Sequence, residues 1–159
     1  MTTLVTALSF HQAGHAAQAA ALYAEILTTE PNNIDALYLL GILARQAKRP
    51  VVAIQLMKRA IILKQDVPQF HNHLGEAFLD IGDTENSRKA FLRALQISPR
   101  YAEAMLNLAR LLEATGKHVE ATACYEAALC LHPKHKIAPQ RLIKPSQVSQ
   151  RKNRLLPQR

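Results

Sequence analysis

Histidines, cysteines and closely spaced carboxylates are the side chains of this chain that could ligate a metal or move a proton. The chain carries 7 histidines and 2 cysteines, and their spacing argues against both kinds of chemistry. His11 and His15 stand four apart and could share a helix face, but Gly14 intervenes near a predicted helix end, and no carboxylate or cysteine is close in sequence. His71 and His73, two apart on a predicted helix, point to different sides, while His132 and His135 flank Pro133 in a predicted loop. Cys124 and Cys130 are six apart on one predicted helix, about 9 Å along its axis, too far for an intrahelical disulfide. Both are expected as reduced packing residues. Asp80 and Asp83 sit at a predicted helix end, where Asp83 reads as the cap of the following helix. No GxSxG, P-loop, HExxH or dinucleotide fingerprint occurs. We therefore expect no catalytic residue, no cofactor and no metal.

Composition describes a folded body with a differently charged end. The 159 residues are 48% hydrophobic and 20% charged, enough apolar material for a continuous core. The net charge of +8 is unevenly distributed. Residues 1–135 hold 13 Lys+Arg against 12 Asp+Glu, whereas residues 136–159 hold 7 Lys+Arg and no acid. Basicity thus belongs to the tail. The first Lys or Arg is Arg45, so a charged leader is not expected. The longest apolar run, Ala36 to Ala44, is half a membrane span. The expectation is a cytoplasmic protein without a membrane segment.

The elements that position these residues follow from a repeat. Pro31, Gln65, Pro99 and Pro133 recur at intervals of 34 residues. With Ile34, Pro68 and Ala102 as first positions, the eighth column reads Ala7, Gly41, Gly75, Ala109 and the twentieth Ala19, Ala53, Ser87, Ala121. Small residues at both places let two antiparallel helices approach closely. The fourth, seventh and eleventh columns (Thr3, Leu37, His71, Met105; Thr6, Leu40, Leu74, Leu108; Phe10, Ala44, Phe78, Leu112) complete one helix face with the eighth. Bulky Tyr23, Met57, Phe91 and Tyr125 occupy the twenty-fourth column, and Ile26, Ala60, Ala94 and Ala128 the twenty-seventh, an inner stripe of a second helix. Gly14, Gly82 and Gly116 recur where the first helix would end, with Lys48 in their place in the second unit. Pro50 suits the first turn of the next helix, and Pro68, three residues after Gln65, is expected to mark the turn that proline marks in the other units.

These columns resemble the tetratricopeptide repeat (TPR), and the resemblance covers residues 1–135, in units of about 1–33, 34–67, 68–101 and 102–135. It implies an all-α, right-handed superhelical solenoid of four helix-turn-helix repeats, eight helices in all, followed by the basic tail. Polar Thr3 and Thr6 suit a terminal unit that faces water. In the family, certain positions of the first helices line a concave groove. Carried over here, they place Leu4, Val5, Leu8, Tyr38, Leu39 and Ile42, edged by His11, Arg45 and Gln46, in an apolar half. Gln69, Asn72, His73, Glu76, Asp80, Glu103, Asn107, Arg110 and Glu113 make a polar half. The carboxylate clamp of chaperone-binding members is missing: Leu4 with Leu8, Tyr38 with Ile42, Gln69 with His73 and Glu103 with Asn107 stand in its columns. Asn107 supplies one rung of the asparagine ladder found in protein-glycosylating members, but His73, Leu39 and Val5 do not continue it.

The expected function is a non-enzymatic scaffold or adaptor, with Tyr38, Leu39 and Ile42 anchoring the apolar side of a peptide and Asn72, Asn107 and Arg110 bonding its polar side. Packing of the same apolar residues on neighbouring helices, or against a second copy in a homo-oligomer, is the alternative. A second alternative is a substrate-recruiting amino-terminal segment of a larger glycosyltransferase or sulfotransferase, since the array resembles segments that precede such domains. A third uses the tail, where Arg141, Lys144, Arg151, Lys152 and Arg154 form an electrostatic arm for nucleic acid or an acidic partner. Against it stands a solvated tail that lacks aromatics for base stacking.

Overall fold

The computed structural model describes residues 3–131. Among them are eight α-helices: α1 (Leu4–Gln12), α2 (Ala16–Thr29), α3 (Ile34–Gln46), α4 (Pro50–Leu63), α5 (Pro68–Asp80), α6 (Thr84–Ile97), α7 (Ala102–Ala114) and α8 (His118–Leu131). The end of the fourth unit at His135 and the tail residues Arg141, Lys144, Arg151, Lys152 and Arg154 lie outside the described residues.

Each boundary has a local cause. Thr3 caps α1 by accepting from the Thr6 N–H at 3.3 Å, Asn33 caps α3 from Ala36 at 3.0 Å, and Asp83 caps α6 from Asn86 at 3.1 Å. Pro50 and Pro68 occupy first-turn positions of α4 and α5, where no intrahelical donor is lost. All four odd-numbered helices end in the same double bond pattern. His15, Arg49, Asp83 and Lys117 donate their N–H to the carbonyls of Phe10, Ala44, Phe78 and Leu112 at 2.8–3.0 Å, closing a Schellman turn. That turn needs positive φ at the residue before the donor, which Gly14, Gly82 and Gly116 adopt at 76° to 79°. Lys48 takes the same role at φ 59° despite its side chain.

The core is a repeated meeting of the eighth and twenty-fourth columns. Ala7, Gly41, Gly75 and Ala109 are buried, as are Tyr23, Met57, Phe91 and Tyr125. A Cβ on Gly75 would lie 2.6 Å from the Phe91 ring, and one on Gly41 3.2 Å from Met57 Cγ. In the third unit the two helices thus cross where only hydrogen fits, while in the outer units the same place takes the methyl of Ala7 or Ala109. In the outer units the tyrosines instead extend to a polar partner: Tyr23 Oη lies 3.3 Å from His11 Nδ1, and Tyr125 donates to Glu113 at 3.0 Å.

Each helix packs on its sequence neighbours, and odd helices also touch across repeats, α3 with α5 and α5 with α7. The result is an all-α solenoid with the odd helices along one side. Thr6 is exposed, as a terminal unit facing water requires. Cys130, expected as a packing residue, is exposed on α8, because its column faces away from α7; Cys124 is half-buried, and both are free thiols. Among the described residues no helix is long and apolar enough to cross a membrane.

Candidate functional site

The inner face is organised by an offset of 35 residues, one repeat plus one. A fifth-column residue of one unit meets the sixth-column residue of the next. In the first junction these are Leu4 and Leu39, both packed on the same apolar cluster. In the second, Tyr38 Oη lies 2.7 Å from His73 Nδ1, and in the third the Asn107 side-chain amide donates to Asn72 Oδ1 at 3.0 Å. The same offset joins Arg45 Nε to Asp80 Oδ2 at 2.9 Å. A strip of side chains from all four odd helices is thereby joined, apolar at its start and polar at its end.

Glu76 on α5 is the hub of the polar part. Arg45 Nη1 reaches its Oε2 at 3.0 Å, the Asn107 amide donates to its Oε1 at 3.2 Å, and His73 Nε2 stands 4.0 Å away. His73 thus stands between the Tyr38 hydroxyl at Nδ1 and the Glu76 carboxylate beyond Nε2. Arg110 in turn donates to Asn107 Oδ1 at 3.5 Å. Asn72 is 0% exposed, and its Nδ2 has no acceptor, so the amide is held at one end only. Such an orphaned buried donor costs about 1–3 kcal/mol.

Tyr38 stacks 4.4 Å from the Phe70 ring, and burial pushes its hydroxyl up to about 12, helped by the negative charges of Glu103 and Glu76. Tyr101, which donates to Glu103 Oε2 at 3.1 Å, is raised too, by burial first and then by Glu103. Along this strip two arginines, Arg45 and Arg110, stand with three carboxylates, Glu76, Asp80 and Glu103. The polar half is net acidic.

Leu4, Leu8, Tyr38, Leu39 and Ile42 are half-buried, and all but Leu8 contribute to the core clusters as well as to the surface. Val5, at 71% exposed, stands out into solvent. Arg45, His73 and Glu76 are half-buried in the network, Asn72 and Asn107 are buried, and Arg110 is exposed. Tyr101 was not anticipated from sequence; its place at the start of α7, two residues before Glu103, carried no repeated signal.

Models of the tetratricopeptide repeat match residues 10–76, 61–102 and 72–140. Among curated proteins, the chain is 31% identical over 75 residues to the ycf37 protein of Pyropia yezoensis, covering 47% of this chain and 42% of that one. It is 25% identical over 97 residues to N-alpha-acetyltransferase 25, the NatB auxiliary subunit of Rattus norvegicus, covering 61% of this chain and 10% of that one. The chain thus spans well under half the length of either relative. Among solved structures, MamA superposes with a TM-score of 0.78 at 25% identity, covering 86% of this chain and 74% of MamA. YrrB, described as a TPR protein with an unusual peptide-binding site, gives 0.74 at 17% identity over 94% of this chain and 76% of YrrB. The first TPR of Spaghetti, bound to an HSP90 peptide, gives 0.69 at 20% identity over 74% of this chain and 93% of that one.

Proposed function

The chain belongs to the tetratricopeptide-repeat family, and from that premise we propose that it is a non-enzymatic adaptor holding a peptide or partner segment along its odd helices. The observation that carries this reading is the continuous strip from Leu4 and Leu39 through Tyr38 and His73 to Asn72 and Asn107. A segment laid along it meets the exposed parts of Leu8, Leu39 and Ile42 first, and the free valences of Arg110 and Glu103 last. The network fixes these groups before any ligand arrives, which lowers the ordering cost of binding. The fold is one in which YrrB has a peptide-binding site and the Spaghetti domain is bound to an HSP90 peptide.

Affinity capture from the native host, repeated with Ile42→Asp and with Arg110→Ala, tests this. A partner retained by the parent chain and lost by both variants, at unchanged thermal melting, supports the groove. Retention by both variants removes it. The similarity to the NatB auxiliary subunit favours a second reading, in which the array recruits a substrate for a transferase. Transferase activity in the captured material would distinguish that case.

A further inference from the structure

The side of α5 turned away from the groove opens on a cleft of about 280 Å³ between α4, α5 and α6. Leu74, Phe78 and Ala90 provide apolar wall, and the rim carries Lys58, Lys89 and Arg93. No carboxylate lines it. Lys58 Nζ sits 5.5 Å from the centroid of the Phe78 ring, and Arg93 donates to the Gln96 amide oxygen at 3.4 Å. Neither forms an ion pair within 4.0 Å among the described residues, although the Asp83 carboxylate, held low chiefly by its bonds from Asn86, is near enough to be lowered in part by Lys89 and Lys58. Lys89 meets Glu85 at 3.5 Å, but that pair is 65% and 58% exposed and shares Glu85 with Arg88, so it neutralises little. Asp83 is occupied as the α6 cap and by the Asn86 side chain at 2.6 Å. The two other polar lining groups are committed as well: His71 Nε2 donates to the Gln65 carbonyl at 2.9 Å, and Asn86 to Asp83.

This concentration of cations is not demanded by the repeat. The equivalent columns read Ala24, Gln55 and Arg59 at the first junction, where Arg59 is bound to the Pro31 carbonyl at 2.7 Å, and Leu92, Ala123 and Ala127 at the third. Three cations round one concavity repel each other and gain from an anion placed between them. The size suits one or two acidic side chains with their methylene stems against Leu74 and Ala90. Phe78 is buried and lies beneath Lys58, so no aromatic face is offered to a nucleobase.

We propose that this cleft is a second binding site, taking a carboxylate-bearing segment of a partner polypeptide on the face opposite the groove. Its test is site-resolved, because the basic tail also attracts acidic peptides. Hexaglutamate is titrated into the full isotope-labelled chain at low salt and followed by amide shifts, with inorganic phosphate as a parallel probe. Saturable shifts at Leu74, Phe78 and Ala90, with affinity reduced about tenfold or more in Lys58→Gln/Lys89→Gln/Arg93→Gln, are expected for three partly screened pairs. Shifts confined to residues outside the cleft, or unchanged affinity in the triple variant, overturn the proposal. So does saturation by phosphate with no response to hexaglutamate, which makes the cleft a site for small inorganic anions. The single variants Lys58→Gln and Arg93→Gln, each expected to weaken binding severalfold, repeat the test should the triple variant fold poorly.

Discussion

Helix α5 serves two surfaces that handle charge in opposite ways. Towards α3 and α7 it presents His73, Glu76 and Asp80, each already engaged with Tyr38, Arg45 or Asn107. Towards α4 and α6 it helps to form a cleft whose Lys58 and Arg93 form no close ion pair among the described residues, with Asp83 acting on Lys58 only at longer range. On the first surface charge is spent on joining repeats and holding their relative placement. On the second it is left over. A network of satisfied groups makes a rigid, preorganised surface, whereas uncompensated cations make one that gains most from an incoming anion.

The largest perturbation is one that removes both surfaces together. Gly75 lies between them on α5, and Gly75→Val would drive a branched side chain into the Phe91 ring, already 2.6 Å from where Cβ would stand. Phe91 is fully buried, so about 3 kcal/mol of overpacking is expected in urea unfolding, with both surfaces lost in one transition. Gly41→Ala is its milder twin, because the nearest atom belongs to flexible Met57 at 3.2 Å; a loss within about 1 kcal/mol is expected. Equal losses at the two glycines would show that ring rigidity is not what separates them.

Asn107→Ala should cost about 2 kcal/mol, because it strips the donor from Asn72 Oδ1 in a fully buried amide whose other end already lacks a partner. Lys58→Gln, its counterpart on the other surface, should change stability by no more than about 0.5 kcal/mol. Matching losses by chemical denaturation would erase the distinction between polar groups engaged in joining repeats and those left over. Arg45→Ala comes next, at about 1 kcal/mol, since its pairs with Glu76 and Asp80 are only partly shielded from water. That loss should shrink as salt is added, which Asn107→Ala should not do.

Scaffold and site were legible to different degrees for a physical reason. Every unit solves the same packing problem, so Ala7 with Tyr23, Gly41 with Met57 and Gly75 with Phe91 restate one solution, and a 34-residue comparison exposes it. Even Lys48, which interrupts a glycine column, keeps its left-handed backbone. Contacts between units need to be solved only once each. Leu4 with Leu39, Tyr38 with His73 and Asn72 with Asn107 share an offset of 35 but no chemistry, so the column reading named these residues without pairing them. The cationic cleft left still less trace, because Lys58, Lys89 and Arg93 come from three columns whose other members are mostly uncharged.

An alkaline titration isolates the groove network alone. Tyr38 is the group there whose ionisation is displaced to about 12 from an ordinary 10.0, by burial and by the nearby charges of Glu103 and Glu76. Between those values the unfolded chain releases the phenolic proton while the folded chain keeps it. Deprotonation then favours the unfolded state, so stability complete below pH 10 falls as pH rises through the window towards 12. Tyr38→Phe should flatten part of that fall, leaving the share due to Tyr101 and Tyr23, whose hydroxyls are also raised. Denaturant midpoints at several pH values, together with ultraviolet titration of the phenolate, measure both quantities. Lys58→Gln should leave the alkaline slope as it is, because the causes of the Tyr38 shift all lie on the groove side of α5. If instead the Tyr38→Phe profile superimposes on that of the parent chain, the hydroxyl is better hydrated than its packing against Phe70 and its bond to His73 imply, and the groove is a looser surface than its network suggests.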